Sequence, residues 1–198
     1  MKSYNATELA YLTSPGFMFR TLVWITAKDR STGAPVTFGF WNGDDNQNFT
    51  INAVSRLYYG AGNLANPSQP IQYQVGVKPT DYSLTLAPLS DEIVSLLRAY
   101  DARLAPIEIH RAMLDPLSNN VISEPLRVFK GQIDEAPLIT PEVGGTASCT
   151  LRCLSSAINL TRTVVQTKSD TVQQLRSGDR FRRYIDISGV VQVSWGAE

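Results

Sequence analysis

Cysteine and histidine are nearly missing from this chain. Two cysteines, Cys149 and Cys153, and one histidine, His110, are all that 198 residues contain. On one strand the two thiols would share a face ~13 Å apart, at ~3.3 Å per residue, too far for a disulfide. Two thiols four apart with no histidine nearby do not make a zinc site, so both read as small buried hydrophobes. One histidine also excludes the paired-histidine metal motifs. There is no Gly-x-Ser-x-Gly elbow. Gly60-Ala61-Gly62-Asn63 lacks the further glycine, lysine and helix start of a phosphate loop. The carboxylates are scattered, and no spacing singles out a glycosidase-like pair.

An excess of one charge is absent as well. With 18 basic and 18 acidic residues, overall charge drives binding to neither nucleic acid nor membrane. No run approaches the ~20 apolar residues of a membrane helix, and the first residues hold no apolar signal core. The chain is expected to stay in the cytoplasm of the cell that makes it, so the Asn-x-Ser/Thr matches at Asn5, Asn48 and Asn159 carry no meaning.

What the chain does have is alternation. Hydrophobic residues make up 43%, enough for a core and too many for disorder. A short helix is predicted from Asn5 to Thr13, capped by Thr7 or Asn5, with Leu9 and Leu12 on one side and Pro15-Gly16 at its end. Residues 17–28 alternate with both faces largely apolar, which predicts a strand that is central or lies at an oligomer contact. Ser31 to Pro35 turns the chain into a hairpin partner over Val36–Trp41. Asn42 to Asn46 reads as a solvated turn, lacking the spacing and terminal glutamate of a calcium loop. A strand at Asn48–Ala53 is followed by an irregular connection over 55–70.

Further strands are predicted at Ile71–Val77, Tyr82–Ala87, Ala105–Leu114, Leu126–Asp134, Thr146–Leu154 and Val190–Gly196. The clearest helix starts at Ser90, has Asp91 and Glu92 at its positive end and carries the stripe Ile93, Leu96, Leu97, Tyr100. The fold class is therefore mainly β, an antiparallel sandwich or barrel with one plugging α-helix and a short N-terminal helix. The chain is read as a single domain, 1–198.

Two features bear on chemistry. Alternation puts Glu108 and His110 on one strand face, within interacting distance, which reads first as a strand-face or interface pair. Residues 162–183 hold six basic side chains against two acidic ones. Nucleic-acid binding would call for stacking aromatics and a recognition motif, which are missing. Contact with an acidic neighbouring subunit, or a plain solvated face, are the other readings.

An ordered series of phrases carries a resemblance. It runs through Phe19-Arg20-Thr21-Leu22-Val23-Trp24-Ile25, Phe38-Gly39-Phe40-Trp41-Asn42-Gly43 and Tyr58-Tyr59-Gly60-Ala61-Gly62. It continues through Pro106 to Pro116, Phe129-Lys130-Gly131-Gln132-Ile133-Asp134, Ser177 to Tyr184, and Trp195-Gly196. In these the chain resembles the tail-tip proteins, distal tail or baseplate hub, of long-tailed non-contractile bacteriophages and gene transfer agents. The resemblance implies a β-rich fold of tail-tube type in the virion tail tip. It implies a homo-oligomeric ring between the tail tube protein and the hub or central fibre proteins, with DNA only as cargo through the lumen.

Upper hub proteins of this sort often bind an iron–sulfur cluster on four cysteines. Two cysteines depart from that pattern, so no cofactor and no metal is expected, nor any membrane partner or catalytic residue. Phe19, Trp24, Tyr58, Tyr59, Arg180, Arg182 and Arg183 are the expected oligomer-interface residues. Two rival readings stand beside this one. The first is a carbohydrate- or receptor-binding β-module with Trp41, Tyr58 and Tyr59 as its stacking platform. The second is a hydrolase using Glu108 or His110.

Overall fold

Asn5 sets the first element. Its side chain accepts the Glu8 amide and the Glu8 carboxylate accepts the Asn5 amide, both at 2.8 Å, a reciprocal cap that starts α1 (Ala6–Leu12). The cap takes the carboxylate inward, so Glu8 is the buried residue of α1 while Leu9 is exposed. The computed structural model describes residues 4–60, 79–86, 90–139, 142–143, 148–161, 167–185, 187 and 189–190. The chain divides into two compact units, Met1–Thr161 and Arg162–Glu198.

In the first unit, β1 (Met18–Asp29), β2 (Pro35–Trp41), β3 (Gln47–Ile51), β4 (Val54–Tyr58) and β5 (Asp81–Leu86) precede α2 (Asp91–Arg98). Then come β6 (Tyr100–Asp101), β7 (Pro106–Leu114), β8 (Leu126–Glu135), β9 (Leu138–Ile139), β10 (Ser148–Ser155) and α3 (Ile158–Thr161). The fold is mainly β, a curled antiparallel sheet forming a half-barrel. Its strand order is β2-β1-β7-β8-β10-β5, with β6 added to β1 and β9 to β10. β3 and β4 form a separate hairpin.

The two apolar faces of residues 17–28 now have a cause. β1 is central, between β2 and β7, and both of its faces are covered. One face sends Val23, Ile25 and Ala27 into a core with Phe40, Ile107, Ile109, Leu84 and Leu151. Ile93 and Leu96 of α2 enter the same core, as their spacing predicts. The other face sends Leu22 into a second core with Trp41, Ala112, Leu114 and the hairpin residues Phe49, Ile51 and Tyr58. Tyr11 ties α1 to this sheet: its hydroxyl accepts the Met18 amide at 2.6 Å and donates to the Leu114 carbonyl at 2.5 Å.

The hairpin is where sequence reading and structure diverge most. The strand expected over 48–53 stops at Ile51, and the stretch read as irregular begins with β4. Asn52 and Ala53 both take positive φ, 50° and 60°, and join paired Ile51 and Val54 in the two-residue turn that matches strand twist. Asn-Gly would have announced that turn, whereas Asn-Ala hides it. The expected strand at 71–77 lies outside the described residues. So does the expected terminal strand, apart from Val190, which sits in a turn.

The second unit is built around α4 (Asp170–Gln174), capped by Ser169. Its Asp170 accepts from Arg180 at 2.8 Å and from Gln174 at 2.6 Å. Residues 181–185 are turns.

Candidate functional site

The second core carries a polar seam. β3–β4 lies over β1 and β7, and Arg56 projects from β4 to Glu108 on β7, Nη1 to Oε2, at 3.2 Å. Arg127 of β8 reaches the other carboxylate oxygen at 3.3 Å. His110 stands two residues along β7, its Nε2 4.0 Å from Glu108 Oε2. Sequence alternation expected Glu108 and His110 to meet, and they do. A register shift between Ile109 and His110 helps to set this geometry, pairing Ile109 with Phe129 but His110 with Arg127.

Aromatic rings frame the seam. Trp24 lies under the Arg56 guanidinium, 5.0 Å from ring to charge. It also packs on Tyr58 at 5.3 Å, which meets Phe49 edge-on at 5.5 Å. Gly39 faces Trp24 across β1 and β2. A side chain there would collide with the Leu57 carbonyl and the Trp24 ring, so only glycine lets hairpin and indole approach so closely.

The electrostatics follow from this enclosure. Burial pushes the His110 imidazole down to about 4, while the Glu108 charge acts the other way. For Glu108 burial opposes ionisation, yet the Arg56 hydrogen bond and the nearby positive charges outweigh it and hold the acid below its ordinary value. Burial raises the Tyr58 phenol to about 12 despite Arg56 beside it. Its hydroxyl, like His110 Nδ1, is buried without a hydrogen-bond partner of good geometry. At neutral pH the seam thus holds two guanidinium groups, one carboxylate and a neutral imidazole. It braces the hairpin to the sheet, and the hairpin walls the imidazole off, with 1% of His110 exposed.

The residues expected at an interface fall into separate environments. Tyr58 is 0% exposed and Trp41 5%, a correction to both roles given them. Neither offers its face to a partner or a glycan, because the β3–β4 hairpin covers Trp41 and carries its own Tyr58 into the second core. Trp24 and Tyr59 are half-buried. Tyr59 extends the β2 edge, donating to the Gly39 carbonyl at 2.9 Å and accepting from the Trp41 amide at 3.0 Å. Phe19 is half-buried near the start of β1, 5.3 Å from the exposed Phe17 and beneath Arg111 at 5.5 Å. Arg180, Arg182 and Arg183 belong to the second unit. Arg180 is bridged to Asp170, Arg183 stacks over Tyr184 at 5.4 Å, and Arg182 is half-buried.

Sequence reasoning missed Arg56 and Arg127. Arg56 lay in a stretch read as irregular, which gave it no face. Arg127 stood in a predicted strand, but no single sequence shows which residue of β7 it opposes across a bulge.

Among the described residues no group of three or more His, Cys, Asp or Glu is placed to hold a metal ion. No described helix is long and apolar enough to cross a membrane. Compared with models of known families and with curated proteins, the sequence matches none.

Proposed function

We propose that this chain is a structural subunit of the tail tip of a long-tailed, non-contractile bacteriophage or gene transfer agent, at the distal-tail or upper baseplate-hub position. In this reading copies close into a ring between the tail tube and the hub or central fibre, around a lumen that passes DNA. The sequence resemblance supports it: four of the phrases that carry it lie along β2, β1, β7 and β8, adjacent strands of one sheet.

The observation that carries the reading is where large apolar side chains stay exposed. They occur at several separate places. Leu9, Phe17 and Leu117 belong to the parts around the start of β1 and the end of β7, and Leu138 and Ile139 form β9. Leu175, Phe181 and Val190 belong to the second unit. Scattered single exposures need no explanation, but groups of them on unlike parts of one chain suit head-to-tail association, which closes a ring where the rotation between copies permits.

The test is native mass spectrometry and electron microscopy of the purified protein, alone and mixed with its neighbouring tail proteins. Closed rings with an open centre are expected. A strict monomer in every mixture rejects the proposal.

A further inference from the structure

We propose that the Arg162–Glu198 unit of one copy docks on the β8–β9 corner of a second copy; this rests on the ring reading above and supplies its contact. Two surfaces of opposite character carry the inference. The unit has fewer than about 40 residues, a size at which a chain rarely holds a fold without help from a disulfide, a metal or a partner. It exposes Leu175, Phe181, Tyr184 and Val190, with Phe181 87% exposed. Arg176 and Arg183, also exposed, neighbour them in the chain, Arg176 acting on Asp179 and Arg183 on Asp170, and with Lys168, Arg180 and Arg182 the described basic groups outnumber those two carboxylates. Exposed aromatic residues beside arginine are the composition of interface anchors.

The corner has the complementary chemistry. Both residues of β9, Leu138 and Ile139, are exposed, and so is Val143 beyond them. Asp134, Glu135 and Glu142 flank them in the chain, all exposed, and Arg152 stands 3.1 Å from Glu135. An apolar stretch with acidic flanks therefore meets an apolar stretch with basic flanks. The two halves belong to different units of the chain, so a contact between copies is head-to-tail, and a succession of copies closes a ring where the rotation between them allows it.

The test uses the full chain. Wild-type protein is expected to assemble in sedimentation velocity and native mass spectrometry. Phe181→Asp and Leu175→Asp should weaken assembly at least about ten-fold, with the main unfolding transition unchanged. The Arg176→Glu/Arg183→Glu chain should also assemble poorly, and adding Asp134→Lys/Glu142→Lys to it should restore assembly. An Ile139→Cys/Phe181→Cys chain should form disulfides between copies on oxidation.

If the wild type assembles and the Phe181 and arginine variants assemble equally well, the docking assignment is wrong while the ring reading stands. Disulfides formed only within single chains likewise overturn docking on a second copy. A wild type that stays monomeric with all tail neighbours removes the ring reading and this contact with it.

Discussion

Arg56 on β4 and Glu108 on β7 stand 3.2 Å apart across the seam between the small hairpin and the large sheet. Both side chains are mostly enclosed, and Arg56 also rests on Trp24. Removing the carboxylate leaves a guanidinium facing aromatic rings and a neutral imidazole, which costs more than the pair gains over water. Glu108→Gln is expected to lower unfolding stability by about 1–3 kcal/mol. Urea unfolding monitored by tryptophan fluorescence measures it. An unchanged midpoint would show that the seam is not a brace.

His110 makes stability depend on pH. Its folded value near 4 lies below its ordinary 6.5, so between these limits the unfolded chain binds a proton that the folded chain does not. Stability therefore falls as pH drops from 6.5 towards 4, by on the order of 3 kcal/mol. Glu108, Arg56, Arg127 and Glu124 act on the imidazole from around the seam. Glu108, held below its ordinary value, loses stability in the same direction but only under pH 4.5. His110→Gln should flatten the curve between pH 6.5 and 4.5 and leave the more acidic limb. A parallel slope in the variant would contradict this assignment.

Tyr58 offers the opposite case. Its hydroxyl is buried without a well-formed hydrogen bond, and an unmet buried polar group is a cost. Tyr58→Phe should be neutral or stabilise by up to about 1 kcal/mol. Thermal melting of the variant decides it, and a clear loss of stability would show that Arg56, which lies close enough to hydrogen-bond the phenol, is its partner.

Gly39 lies where the Leu57 carbonyl and the Trp24 ring leave no room for a β-carbon. Gly39→Ala forces the hairpin away from the sheet and should cost about 2–3 kcal/mol. Trp24 fluorescence should shift to the red as the ring is uncovered.

Cys149 and Cys153 sit in the larger core. Burial pushes their thiols up to about 11 and about 12. A thiol so raised and so enclosed is a poor nucleophile. Neither should react with a disulfide reagent at pH 8 until the protein is unfolded in guanidinium, when both should. Rapid labelling of the folded chain would show that β10 opens.

Sequence legibility followed the range of the interaction. Ser90 capped its helix where local chemistry placed it, of Thr7 and Asn5 it was Asn5 that capped α1, and Ile93 with Leu96 found the core from spacing alone. Alternation located β1, β2, β7, β8 and β10 to within a few residues and brought Glu108 beside His110. Both cysteines are free, as their spacing required, and buried, as free cysteines usually are. The failures were non-local. Tyr58 and Trp41 look like display residues until a hairpin with an unmarked turn folds over Trp41 and buries its own Tyr58. Leu9 looks like a core residue until the Glu8 cap takes its place inside.

What the sequence determined unaided was the strand-rich class, the Ser90 cap and the faces of most strands, because each follows from neighbours within a few residues. What only the tertiary structure decided was that a second core exists and that Arg56 and Arg127 clasp Glu108 there. Those contacts join residues 19 to 52 positions apart. Their partners are chosen by sheet order, a bulge and the folding back of β3–β4, none of which a local pattern encodes.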